Sequence, residues 1–309
     1  MPDVKRFARA NALLLVLAML APAKDSDAHG NPHPLQPTVR EAAPGLPFHT
    51  VYRPQDLARV DGAVPVLLWG NGACKASNLR YWDVLGTLAA HGYVVVAYGD
   101  ADAESDMEKR TVTPQRMQDA LHWLAHEARS QPGYEQLDAG RVGVVGTSCG
   151  GLEALVAGAD ARVGSVGALN TGFFATGHPM GAALGGYVTQ DVKHIRAPTL
   201  FVVGGPTDIA HPQAVANFHA ARAPVVLANN PAGGHSGFWA GIRTTTDAND
   251  PSRVLDQRID YTITHEAVEV LVRWFDWTLK GDAGQGDYFL GPECGLCTVP
   301  GWRVTSRNF

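Results

Sequence analysis

Arg141-Val-Gly-Val-Val-Gly-Thr-Ser-Cys-Gly-Gly151 decides how the rest of the chain is read. Its first part, Val142 to Val145, is a short β-branched run of the length of a fully buried strand. Leu152-Glu-Ala-Leu-Val-Ala157 beyond it is built from residues that favour a helix. Between the two stands Gly146-Thr147-Ser148-Cys149-Gly150, a G-x-S-x-G pattern. A strand that turns sharply into a helix through this pattern lifts the serine Oγ clear of the backbone, as a nucleophile requires. Such a turn is strained, and strain of that kind persists only where neighbours enforce it. A side chain at position 146 or 150 would collide where strand and helix converge. Taken alone, the stretch also reads as an ordinary Gly/Ser turn. The remainder of the chain has to supply an acid, a base and a second oxyanion donor.

Working outward, buried strands are expected at Val64–Trp69, Tyr93–Tyr98, Val163–Leu169, Pro198–Val203 and Pro224–Ala228. Phe48–Tyr52 alternates as an edge strand would. Helical spacing marks Tyr81–Ala90, the segment after Thr113-Pro114 with Met117, Leu121 and Leu124 on one face, Pro212–Ala221, and Thr264–Leu279. Strands alternating with helices throughout predict an α/β fold: a mostly parallel, doubly wound sheet flanked by helices. The insertions Phe173–Ile195 and Gly241–Asp260 are too short for a large lid, so residues 48–309 are expected to form a single domain. Residues 24–47, rich in proline, are expected to be an extended and poorly packed lead-in. Residues 281–309 read as a Gly- and cysteine-bearing C-terminal tail.

In an open α/β sheet, ligands bind beyond the carboxyl ends of the strands. Ser148 follows one strand, Asp208 the next but one, and His235 the last, so a serine, an acid and a histidine fall at one end of the sheet. His235 would take the Ser148 proton as general base, and Asp208 would hold the imidazole in its tautomer and stabilise the imidazolium. Asp208 alone also fits a helix N-cap, and His235 alone a solvated loop histidine. His194, His211, His265, Asp191, Asp247 and Asp250 are the other candidates, but none follows a strand of the right rank.

An oxyanion hole needs two backbone N–H groups aimed at the developing charge. Cys149, the residue after the nucleophile, supplies one, and Asn71 in Trp69-Gly70-Asn71-Gly72 is expected to supply the other, with Gly72 as the substitute. Four cysteines allow three pairings. Cys294-Gly-Leu-Cys297 can close on itself, leaving Cys74 and Cys149, which sit in the two loops that must meet at one hole. A bond there would fix the spacing between the donors; two buried thiols behaving as small hydrophobes are the alternative. Zinc and a redox C-x-x-C are not expected, since Cys294 lies in a Gly/Pro-rich tail with no second C-x-x-C.

The chain has 309 residues, is 45% hydrophobic and 18% charged, and carries a formal net charge of −5. No basic run is present, so neither nucleic acid nor an anionic membrane is an expected partner. Lys5, Arg6 and Arg9, then apolar Ala12–Leu20, then Ala21-Pro22-Ala23 make residues 1–23 a signal peptide, too short to span a bilayer. Export, periplasmic or extracellular, is the expectation. It agrees with a disulfide reading of the cysteines.

With these residues in place, the chain resembles the secreted serine esterases of the α/β-hydrolase superfamily. It is most similar to the lidless group around dienelactone hydrolases, bacterial cutinases, chlorophyllases and platelet-activating-factor acetylhydrolases. The resemblance covers about residues 48–280. It rests on Trp69-Gly-Asn-Gly-Ala-Cys74, His91-Gly-Tyr-Val-Val-Val-Ala97, Gly146-Thr-Ser-Cys-Gly-Gly151, Gly204-Gly-Pro-Thr-Asp-Ile209 and Gly234-His235. Serine, then acid, then histidine is the chain order of that superfamily's triad. The resemblance implies a Ser148–Asp208–His235 triad, an Asn71–Cys149 oxyanion pair, no cofactor and no metal. It implies cleavage of a small or polymeric carboxylic ester through an acyl-serine. Dienelactone hydrolases carry cysteine where this chain has Ser148, and bacterial cutinases carry Gly-aromatic where it has Gly70-Asn71, so the lactone and polyester substrates do not transfer. Acyl transfer on the same triad and a non-catalytic binding role are the alternatives; a peptidase is less expected, as no propeller or large cap accompanies the fold. For the substrate pocket, Phe238, Trp239 and Tyr98 are put forward from an aromatic set that also holds Trp69, Phe173 and Phe174.

Overall fold

The computed structural model describes residues 35–102 and 112–309. The expected signal peptide, 1–23, lies outside the described residues, as does the first part of the lead-in. Along the chain run β1 (Thr38–Ala42), β2 (His49–Pro54), β3 (Val64–Gly70), α1 (Trp82–Ala90), β4 (Val94–Tyr98), α2 (Gln115–His126) and β5 (Leu137–Thr147). Then come α3 (Ser148–Ala157), β6 (Val163–Leu169), α4 (Pro179–Ala183), β7 (Thr199–Val203), α5 (His211–Ala220) and β8 (Val225–Asn229). The remainder is α6 (Gly237–Ala240), β9 (Ile242–Thr246), β10 (Val254–Ile259), α7 (Thr262–Thr278), α8 (Gly295–Thr298) and β11 (Arg303–Arg307).

Nine strands form one sheet in the order β1-β2-β4-β3-β5-β6-β7-β8-β11. β4, β3, β5, β6, β7 and β8 are parallel; at one side β2 pairs antiparallel with β4 and β1 antiparallel with β2, and at the other β11 pairs antiparallel with β8. Alternate side chains of the buried strands feed two separate cores. Val64, Val66, Leu68, Val142 and Val144 join Met117, Leu121, Leu152 and Phe218 of α2, α3 and α5 on one face. Leu67, Trp69 and Val145 join Leu85, Leu88, Leu271 and Phe275 of α1 and α7 on the other. A sheet covered on both faces is why these strands read as continuous apolar runs rather than as alternation. The chain has the α/β-hydrolase fold, a mostly parallel sheet flanked by helices.

Two expectations are corrected here, and two later segments take definite form. The proline-rich lead-in is not loose throughout: Thr38–Ala42 is β1, paired in register with β2. β2 is therefore not an edge, and its residues are buried except for half-buried Arg53. The Gly241–Asp260 insertion folds into the β9–β10 hairpin, a small separate sheet. In the tail, the Cys294–Cys297 disulfide opens α8. Trp302 then stacks on Phe238 at 5.7 Å between ring centroids.

Candidate active site

β5 runs directly into α3, and Ser148 at the junction has φ +52°, in the left-handed region. A serine pays a backbone penalty there. The turn is held by close backbone packing: a Cβ on Gly150 would lie 2.1 Å from the carbonyl carbon of Gly70 and 2.4 Å from the Asn71 nitrogen. One on Gly146 would lie 2.5 Å from the Gly150 oxygen. Only glycine lets β3, β5 and the first turn of α3 approach this closely.

Asp208 follows β7, and His235 follows β8 through a short 3-10 turn at Pro231–Gly233. The His235 Nδ1–H donates to Asp208 Oδ1 at 2.6 Å, and the Ser148 hydroxyl donates to His235 Nε2 at 3.1 Å. Asp208 is 1% exposed. Its Oδ1 also accepts from the Ala210 N–H at 2.9 Å, and its Oδ2 from the Gly204 N–H at 3.1 Å and the Asn170 Nδ2 at 2.7 Å. Donors on both carboxylate oxygens fix its direction. It is not the N-cap of α5, whose cap position is Ala210. Four of the other candidates are engaged elsewhere: Asp191 accepts from the Val188 N–H, Asp247 pairs with Arg253, Asp250 binds Ser252, and His265 faces Asp83.

The oxyanion loop departs from expectation. Asn71 is 2% exposed, and its side chain does not line the cleft. Its side chain accepts from Trp69 Nε1 and donates to the Lys75 and Tyr98 carbonyls, pinning the loop from inside. The Gly72 N–H donates to the Tyr81 hydroxyl at 2.9 Å. Ala73, with φ +56°, is the loop residue that lines the cleft beside Ser148 and Cys149. The sequence offered no signal for this, because the register of a loop is set by what its side chains bind. Cys149 is the second residue of α3, in the first turn whose N–H groups have no acceptor within the helix.

Cys74 and Cys149 are joined by a disulfide with Cα atoms 5.2 Å apart, linking the two loops. Behind it, Arg116 donates to the Cys74 carbonyl at 2.9 Å and lies 3.6 Å from Glu153. Its guanidinium also lies over the Tyr98 ring at 4.1 Å. Burial pushes the Glu153 carboxyl up to about 7, against the Thr113 N–H and the Arg116 charge, which pull it down.

The cleft at Ser148 and His235 encloses about 550 Å³. Its walls are Leu152, Phe174, Met180, Leu184 and Ile209, with Gln213 and His178 as polar members. None of the three aromatics put forward is there, and of the wider aromatic set only Phe174 lines it. Phe238 is fully buried against Trp302, Trp239 packs on the Tyr81 ring at 5.1 Å, and Tyr98 lies under Arg116. Proximity to His235 in sequence misled, because α6 turns inward to cover the C-terminal tail. Phe174, Met180 and Leu184 come instead from the Phe173–Ile195 insertion, whose short α4 carries Met180, 48% exposed at the rim. Among the described residues no group of acids, histidines and cysteines could hold a metal, and no helix is long and apolar enough to cross a membrane.

Comparison with known proteins agrees with this geometry. Residues 49–166, from β2 through β5, the elbow and α3 into β6, match the family model of X-Pro dipeptidyl-peptidases (S15 family). The chain is 30% identical over 119 residues to "Alpha/beta hydrolase xenA" of Xenoacremonium sinensis, an alignment covering 37% of this chain and 28% of that protein. The chain thus spans a little over a quarter of the length of that curated relative. Sheet and elbow give this chain the α/β-hydrolase fold, and the two partial matches support a serine hydrolase built on it.

Proposed function

We propose that this protein is an exported serine hydrolase that cleaves carboxylic esters through an acyl-serine intermediate. The observation that carries the reading is the unbroken line from Ser148 Oγ to His235 Nε2 and from His235 Nδ1 to buried Asp208, at 3.1 and 2.6 Å. In the first step His235 takes the Ser148 proton as Oγ attacks the ester carbonyl, and the imidazolium formed is stabilised by Asp208. The Ala73 and Cys149 N–H groups are the oxyanion donors we assign. His235 returns the proton to the leaving alcohol, and water repeats the sequence on the acyl-enzyme.

The apolar walls of the cleft suit an ester with a medium-sized aliphatic or aromatic group. The S15 match supports a second reading, a dipeptidyl-peptidase. Against it, none of the described residues lining the cleft carries a carboxylate to hold a peptide's terminal ammonium. Acyl transfer to an alcohol uses the same acyl-serine and is told apart by its products. The two disulfides and the N-terminal charge pattern support export.

The test is labelling by a fluorophosphonate probe and turnover of a p-nitrophenyl ester chain-length series, with and without added alcohol, beside an Xaa-Pro p-nitroanilide. Ser148→Ala is expected to abolish labelling and to lower ester turnover by roughly 10⁵-fold or more. Labelling of the alanine variant, or turnover of it near the native rate, sinks the assignment. Faster cleavage of the anilide than of any ester moves it to the peptidase.

A further inference from the structure

Asn170 follows β6 directly and has φ +49°. It is fully buried, and its Nδ2 donates to both Asp208 Oδ2 at 2.7 Å and the carbonyl of Gly234, the residue before His235, at 2.9 Å. The orientation of the amide follows from those two partners, since its oxygen would meet two acceptors if the group were turned over. Its Oδ1 is left buried with no hydrogen-bond partner. An orphaned buried acceptor costs free energy, as does a left-handed backbone on a residue with a Cβ. Both costs fall on one residue, and what they secure is the placement of its two N–H donors. Asn170 ties together the loop that carries the acid and the loop that carries the base. Those loops touch there: a Cβ on Gly204 would lie 1.8 Å from the Gly234 oxygen. Its neighbour Thr171 donates to the Ser148 carbonyl at 2.8 Å, so the end of β6 reaches all three catalytic segments.

Resting on the triad reading above, we propose that Asn170 is a positioning residue for the triad, holding Asp208 in the rotamer that orients His235 and setting the distance between the acid and base loops. It acts through Asp208 and Gly234, the two partners of its amide. Its contribution therefore falls on the chemical step and leaves ground-state binding alone.

Two variants test this. Asn170→Gly removes the amide and accepts the positive φ without strain. Loss of one hydrogen bond to a charged group, with the register of two loops, predicts a fall in kcat of roughly 10- to 100-fold at nearly constant KM. Fluorophosphonate labelling is slowed but still goes to completion. Asn170→Asp keeps the shape and sets two carboxyls about as close as the present 2.7 Å contact, where both cannot be ionised. The groups facing Asp208 that titrate are His235 and His211. The expected kcat profile of Asn170→Asp therefore gains a descending limb on the alkaline side, absent from the native profile, as the shared proton is lost. If Asn170→Gly does not fold, that profile decides the matter alone. Native kcat in folded Asn170→Gly, or a native profile in Asn170→Asp, overturns the proposal. A dead Ser148→Ala beside a fully active Asn170→Gly would overturn this inference alone, whereas an active Ser148→Ala would remove the triad itself.

Discussion

Replacing Cys74 and Cys149 together with alanine is expected to lower stability and catalysis at once. The bond joins positions 75 apart in the chain, and closing an unfolded loop of that length is equivalent to about 4.5 kcal/mol at 25 °C in the chain-entropy account. Alanine is the replacement because both sites are at most 6% exposed, and serine would bury an unpartnered hydroxyl. For a unit the size of Leu35–Phe309, with an unfolding entropy of about 2.1 cal/mol/K per residue, this is a fall of roughly 8 °C in Tm. Catalysis should suffer separately, because the bond ties the Ala73 loop to the first turn of α3, and a shift of about 1 Å near the reacting atoms costs on the order of 100-fold. The comparison is the Cys294→Ala/Cys297→Ala variant, whose bond spans 3 positions and is worth only about 1.6 kcal/mol in the same account. Calorimetry at matched scan rates gives Tm, and p-nitrophenyl ester hydrolysis gives kcat. A Tm drop below about 2 °C with kcat unchanged in the Cys74/Cys149 variant would refute both the entropic and the positioning argument.

Glu153→Gln should flatten the pH dependence of stability. The folded carboxyl is raised from 4.5 to about 7, so the native state holds the proton more tightly and stability falls as pH rises across that window, by up to about 3 kcal/mol; urea midpoints at pH 5 and pH 8 that differ equally for both proteins would contradict this. Gly150→Ala should be destabilised by roughly 3 kcal/mol or more, since the atoms a Cβ would strike at 2.1 and 2.4 Å are backbone and cannot rotate away. Soluble expression together with the rate of fluorophosphonate labelling checks it, and native behaviour in both would mean the elbow tolerates wider spacing.

The central strands and the three residues of the proposed triad could be read from the chain because each leaves a local mark. β-branched runs mark a sheet covered on both faces, and polar residues in the loops that follow β5, β7 and β8 mark its carboxyl end. β11 left none: Arg303-Val-Thr-Ser-Arg307 is an antiparallel edge strand with little apolar content, legible only once β8 presents its free side. β1 is of the same kind, with a burial pattern that never becomes fully buried. Asn170 was passed over because its importance lies in partners 38 and 64 positions away, which no spacing along the chain announces. The exchange of Asn71 for Ala73 at the cleft has the same root. An asparagine beside two glycines looks like a turn residue whose backbone is on offer, whereas three side-chain hydrogen bonds fold it inward.

The pairing of β11 with β8 has a consequence for how the protein is made. β8 delivers His235, yet the strand that covers its outer side is synthesised only after the β9–β10 hairpin, α7 and α8. Throughout that interval a nascent chain carries the unpaired edge of β8 and an uncovered Phe238, since Trp302 has not yet arrived. Unpaired strand edges recruit other chains. Translation products or proteolytic fragments that stop short of Arg303 would therefore present that edge, and a purification tag or linker placed just after β11 would sit against the strand that closes it.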